Sequence, residues 1–251
     1  ANSQKAMLVN AFDDMKIQTA EKNGLHLVDV REFIDRIDKS ESSVEAILIA
    51  NEYLHSRGLD IGFIKDNSSR NPSDLEKIDH NEIKNQLQYL LYDLAYMPQE
   101  VLEVTNIKQI YIVEDLEMLG YIGGSISKVR PGGLAYPAGQ TVFLAKSSTV
   151  NHSTLSHELG HAFDNAICGS LDMFKDKEFA ELNPQAYVYE GFKEDSYDSV
   201  SDSGPWYQDS RESVFSEEYS TSNIQEDKAT IYQMLINGLD QETLLRNDAV
   251  G

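Results

Sequence analysis

His157, Glu158 and His161 stand inside one amphipathic stretch, Leu155 to Ile167, which reads Leu-Ser-His-Glu-Leu-Gly-His-Ala-Phe-Asp-Asn-Ala-Ile. A helix turns about 100° and rises about 1.5 Å per residue, so the two histidines fall on one face about 6 Å apart along the axis. Two imidazoles at that spacing can reach one zinc ion, and the adjacent Glu158 can take a proton from a metal-activated water and hold it in line with a carbonyl. Leu155, Leu159, Ala162 and Phe163 give the same segment an apolar side. It therefore reads as a half-buried helix and not as a chance pair of surface histidines. Thr154 or Ser153, in the polar run before it, can cap it.

Two histidines are too few, because catalytic zinc takes three protein ligands and leaves a position for water. The third is expected downstream, on a second helix crossing beneath the first. Ser222 or Asn223 can cap a helix whose first turn holds Gln225, Glu226 and Asp227, with Ala229, Ile231, Tyr232, Met234, Leu235 and Leu239 for apolar contacts. Glu226 is the expected third ligand, although a carboxylate at a helix start also stabilises the helix by itself, by about 0.3–1 kcal/mol. Asp164 follows His161 closely enough to lie near the histidine face, where it can support an imidazole or a nearby backbone group by a hydrogen bond. As ligands in their own right, Asp164, Glu178, Glu181, Glu212 and Glu217 compete with Glu226.

The rest of the chain divides by period. Gln4 to Glu21 has a mostly helical pattern, Leu25 to Ile37 places Phe33, Ile34 and Ile37 at helical spacing, and Ser43 to Ser56 reads as an amphipathic helix ending before Gly58. Ile64 to Ser73 is polar and contains Asn71-Pro72, which suits a loop. Ser73 can then cap a helix running to Tyr96 through Ile83, Leu87, Leu90, Leu91 and Leu94. Residues 1–103 thus read as a helical N-terminal subdomain. Ile107 to Val113 crowds β-branched residues and a tyrosine into a strand, Ser125 to Val129 alternates weakly, Pro131-Gly132-Gly133 marks a turn, and Gln140 to Ala145 gives another strand. A small sheet should therefore precede the histidine helix inside a catalytic domain at 104–251. An irregular, tyrosine-rich insertion is expected at about 168–213, with Pro184 to Ser210 as its wettest part.

The chain has 42 acidic against 21 basic residues, a formal net charge of −21. That field repels phosphate backbones and anionic lipids, so nucleic acid is not an expected partner. No stretch approaches the roughly 20 apolar residues that span a bilayer, and the start lacks the basic and apolar regions of a signal peptide. Cys168 is the only cysteine, which leaves no intrachain disulfide; it reads as a small buried hydrophobe.

His-Glu-Leu-Gly-His-Ala-Phe-Asp, followed by Tyr-Ser-Thr-Ser-Asn-Ile-Gln-Glu-Asp-Lys-Ala, resembles the gluzincin-type zincin metallopeptidases of the anthrax lethal factor-like branch, which includes the Pro-Pro endopeptidases. The resemblance runs from Gly132 to about Leu239 and is specific at its two ends. It implies an α+β zincin-like fold with a small twisted mixed sheet, an active-site helix and a C-terminal ligand helix. It also implies zinc held by His157, His161 and Glu226, Glu158 as general base, and an endopeptidase acting on protein or peptide substrates; a secreted or cell-surface location is expected, and of oligomeric states a monomer is favoured. Members carry a tyrosine seven positions before the glutamate ligand, which is Tyr219 here; the resemblance implies that its phenol donates to the oxyanion. Chemistry agrees, since a phenol with a pKa near 10 stays protonated and can donate to developing charge. Thr230 stands where the family often has a second glutamate. The other reading is a zinc-holding, catalytically weak or inactive protein-binding module built on the same scaffold.

Overall fold

The computed structural model describes residues 27–95, 97–122, 125–147, 154–169, 179, 181 and 223–236. The helix expected over Gln4–Glu21, the loop system Pro184–Ser210 and Tyr219 lie outside the described residues.

Among the described residues three helices come first in chain order around one strand: α1 (Leu27–Asp38), α2 (Ser43–Ser56), β1 (Asp60–Asp66) and α3 (His80–Ala95). Helix α2 begins where Ser42 accepts a hydrogen bond from the Glu45 amide, and its end is followed by Gly58 at φ +74°, as the sequence pattern anticipates. Helix α3 begins later than expected. Asp79, not Ser73, accepts from the amides of Asn81 and Glu82 at its start. The Ser73 amide instead bonds the Phe63 carbonyl, and Leu75–Lys77 forms a separate 3-10 turn. Helix α4 (Gln99–Thr105) follows, then β2 (Gln109–Asp115), the hairpin of β3 (Met118–Ile122) and β4 (Ser125–Val129), β5 (Gly133–Tyr136) and β6 (Thr141–Ala145). Two further helices, α5 (Thr154–Cys168) and α6 (Ile224–Ile236), carry the histidine pair and Glu226.

The fold is α+β, with a small mixed four-stranded sheet in the order β1-β2-β6-β5. The first three strands run parallel, with Ile110 opposite both Ile61 and Val142; β5 runs antiparallel on the edge, with Gly133 opposite Leu144 and Ala135 opposite Val142. The strand over Asp60–Asp66 replaces part of the loop expected from Ile64 onward. Its reason is tertiary: Ile61 and Phe63 face one core while Ile64 faces another, a period-two split that Gly62 and Lys65 obscure in the sequence.

That alternation runs through the sheet. Ile61, Phe63, Ile110, Ile112, Val142 and Leu144 join the helices in one large core that also takes in Leu155, Leu159 and Ala162 of α5. On the opposite face Ile64, Val113, Leu116 and Phe143 form a smaller cluster, joined by Tyr111 and Leu134, with the Arg70 guanidinium over the Tyr111 and Phe143 rings. Because Leu134 faces the smaller cluster, Gly133 and Ala135 face the α5 side of the sheet. The strand edge and the histidine helix thereby meet.

Candidate metal centre

Helix α5 buries Leu155, Leu159 and Ala162 and turns His157 and His161 to the side where α6 lies. It stops at Gly169, whose φ of +70° is the left-handed conformation that glycine adopts without cost and whose amide bonds the Asn165 carbonyl. Helix α6 starts at the residue pattern read from the sequence. The Asn223 side chain accepts from the Glu226 amide at 3.0 Å, and the Asn223 carbonyl accepts from the Asp227 amide. That cap fixes Glu226 in the first turn, at the end of α6 nearest the histidines.

The helices come close because Gly160 has no side chain. A β-carbon there would stand 3.1 Å from the Ala229 α-carbon and 3.1 Å from Tyr232 Cβ and Cδ1. One turn further along α5 the Phe163 and Tyr232 rings meet with centroids 5.4 Å apart, and Lys228 of α6 pairs with Asp164 of α5 at 2.7 Å.

At the other end of this interface the Glu226 carboxylate reaches both imidazoles. Glu226 Oε2 lies 2.8 Å from His157 Nε2 and 3.3 Å from His161 Nε2, and the rings stand edge to face with centroids 4.8 Å apart. Among the described residues these three form a group able to hold a metal ion, each giving one ligand atom and all three atoms lying within 4.8 Å of one another. The donor set fits zinc. Tetrahedral ligands at about 2.0–2.2 Å from the ion stand about 3.3–3.6 Å apart; the His161–Glu226 separation of 3.3 Å matches that, the 2.8 Å His157–Glu226 contact must open, and the span of the group, within 4.8 Å, sets how far its ligands must draw in.

Charge and burial work against each other in this cluster. Burial pushes the Glu226 carboxyl up, but hydrogen bonds from His157 and His161 and their positive charge outweigh it and hold the group well below the usual carboxylate range. Burial opposes protonation of His161, yet the hydrogen bond and charge of Glu226, with lesser help from Glu158 and Asp164, keep its pKa above the ordinary value.

Glu158 sits beside this cluster and is 7% exposed. Burial raises its carboxyl pKa; the histidine charges pull the other way, Glu226 adds to the rise, and the Ala135 amide donates a hydrogen bond to the carboxylate. Position 133 is as close: a β-carbon on Gly133 would lie 2.6 Å from Glu158 Cγ and Oε1 and 2.8 Å from Cδ. The edge strand therefore touches Glu158 through an amide and a bare glycine. The sequence pattern marks Gly133 only as part of a turn; the doubled glycine before a short apolar run is the available signal of close approach.

The structure thus brings together His157, Glu158, His161 and Glu226. Asp164 stands apart from that cluster, its carboxylate accepting from Lys228 and from Cys168 at 3.3 Å, so it ties α5 to α6 in place of bonding an imidazole. Glu181 is not among the clustered residues, and Glu178, Glu212, Glu217, Ser153 and Tyr219 lie outside the described residues. Cys168 is exposed on the last turn of α5, not buried as expected, with its thiol against Asp164 and Lys228.

No family model matches the chain, and no curated protein or solved structure matches it at a significant level.

Proposed function

We propose that this chain is a zinc-dependent endopeptidase of the zincin type, in the lethal factor-like branch that its two motifs resemble. One observation carries the proposal: a largely buried His-His-Glu cluster with a buried carboxylate, Glu158, beside it and against the strand that forms the sheet edge among the described residues. His157, His161 and Glu226 are the ligands. Zinc bound there supplies a Lewis acid that polarises a carbonyl and acidifies water.

The chain's own residues do the rest. Glu158 takes the proton of the attacking water on its carboxylate and returns it to the leaving amine. Asn223 and Gly160 hold Glu226 in reach by fixing the start and the depth of α6. Tyr219 donates a hydrogen bond from its phenol to the developing oxyanion. Strand β5, at the sheet edge among the described residues, suits an extended peptide, which such an edge binds through backbone hydrogen bonds. The net charge of −21 favours basic or neutral peptides and disfavours nucleic acid. We further propose a secreted or cell-surface protein acting as a monomer.

Cleavage of a peptide library tests the reading. Turnover that vanishes with a chelator and returns with zinc is the expected result. Stoichiometric zinc with no turnover on any peptide would instead favour a zinc-holding binding module.

A further inference from the structure

We propose that Gly133 is a positioning residue for Glu158: its missing side chain creates the seat in which the base lies, and no β-carbon is tolerated there without displacing the carboxylate. The proposal deepens the endopeptidase reading and rests on it for the kinetic consequence, though not for the contact itself.

The usual reason for a glycine does not apply at this position. The described glycines at positive φ are Gly58 and Gly169, whereas Gly133 lies in β5, paired in ordinary register with Leu144. An alanine could adopt that backbone. A glycine within a strand weakens it and often marks close approach by another group. Here the approaching group is known, because the three atoms nearest the absent β-carbon are Cγ, Oε1 and Cδ of Glu158. Two residues along, on the same face, the Ala135 amide donates to that carboxylate. The strand thus supplies an open site for the side chain and a donor for its oxygen, and position 133 decides whether the carboxylate reaches that donor.

A β-carbon needs about 3.4 Å where only 2.6 Å is free, so the carboxylate of Glu158 would move by about 0.8 Å. Glutamate has three rotatable bonds and can make that move without disturbing the core, so the fold should survive. A reacting group misplaced by about 1 Å can cost about 10²-fold in rate. The effect should therefore fall on turnover, with metal and substrate binding spared.

The experiment is a cycle of four proteins: parent, Gly133→Ala, Glu158→Ala and the double variant, all zinc-loaded. Gly133→Ala should lower kcat by about 10- to 10²-fold, with KM and zinc affinity within about twofold of parent. It should also lower Tm by about 2–4 °C in the parent background. In the Glu158→Ala background Tm should stay unchanged or rise, because the clashing side chain is gone and alanine restricts the unfolded chain. A residue needed only for the turn or the strand would lower Tm equally in both backgrounds. An equal Tm change in the two backgrounds, or a kcat within twofold of parent, overturns the proposal. Should the zinc-loaded parent cleave no peptide, the endopeptidase reading fails while the melting cycle still decides the seat: a background-dependent change upholds it, and an equal change refutes it.

Discussion

Replacing Gly160 by alanine should separate helix propensity from site geometry. In an ordinary helix interior this change stabilises by about 1 kcal/mol, since glycine is about that much worse than alanine there. At position 160 the new β-carbon meets the Ala229 α-carbon at 3.1 Å, together with Cβ and Cδ1 of Tyr232 at the same distance. Tyr232 can turn its ring, but a backbone α-carbon yields only if α6 moves. About 0.3 Å is needed to reach ordinary contact, and overpacking of this kind costs about 1–3 kcal/mol. The two contributions nearly cancel, so global stability should fall by at most about 2 kcal/mol. The displacement itself does not cancel, because α6 carries Glu226. Metal ligands tolerate about 0.2 Å of error, so zinc affinity should drop about 10-fold, equivalent to about 1.4 kcal/mol. Competition with a chromogenic chelator measures the affinity, and urea unfolding of the metal-free protein measures the stability. A variant stabilised by about 1 kcal/mol with parental zinc affinity would refute the claim that Gly160 sets the depth of α6.

Glu226→Ala should leave a folded protein that no longer retains stoichiometric zinc, as judged by elemental analysis; parental zinc content would mean the third ligand lies elsewhere. Tyr219→Phe should keep fold and zinc and lower kcat by about 10- to 10³-fold, or roughly 1.4–4 kcal/mol, and a kcat/KM within twofold of parent would make Tyr219 a packing residue. The effect of zinc on Tm should grow with pH. In the metal-free protein the raised His161 contributes stability that is fully present below its ordinary 6.5 and is lost as pH rises through its raised value. The depressed Glu226 contributes stability present above its ordinary 4.5 and lost as pH falls through its lowered value. In the window between, a proton on His161 holds the His161–Glu226 pair together and zinc must displace it, so a zinc-induced Tm rise as large near pH 5 as near pH 8 would contradict this.

How much the sequence discloses depends on whether a feature is local. His157 and His161 are legible because four-residue spacing puts them on one helical face. Glu226 is legible because Asn223 is a good cap three positions before it, which marks a helix start where a carboxylate is well placed. Helix α2 is bounded by Ser42 and Gly58, both local signals. Strand β1 is hidden, because its alternation is broken by Gly62 and Lys65 and is enforced by β2 pairing and by cores on two faces. The start of α3 is misplaced for a related reason: Ser73 is an acceptable cap in isolation, but its backbone is claimed by Phe63. Asp164 is near the histidine face as spacing demands, yet Lys228, 64 positions away in the chain, takes its carboxylate. The contacts of Gly133 and Ala135 with Glu158 require knowing that α5 packs on the edge strand, which no local window contains.

The most direct test of the account is kcat/KM for Glu158→Ala relative to parent, measured on a cleaved peptide at matched zinc occupancy. Glu158→Ala should retain its zinc in full and lose about 10²–10⁴-fold in kcat/KM, the range for removing a general base. Activity above about a tenth of the parental value would contradict it, because the group beside the metal cluster would then not be the base that drives the reaction.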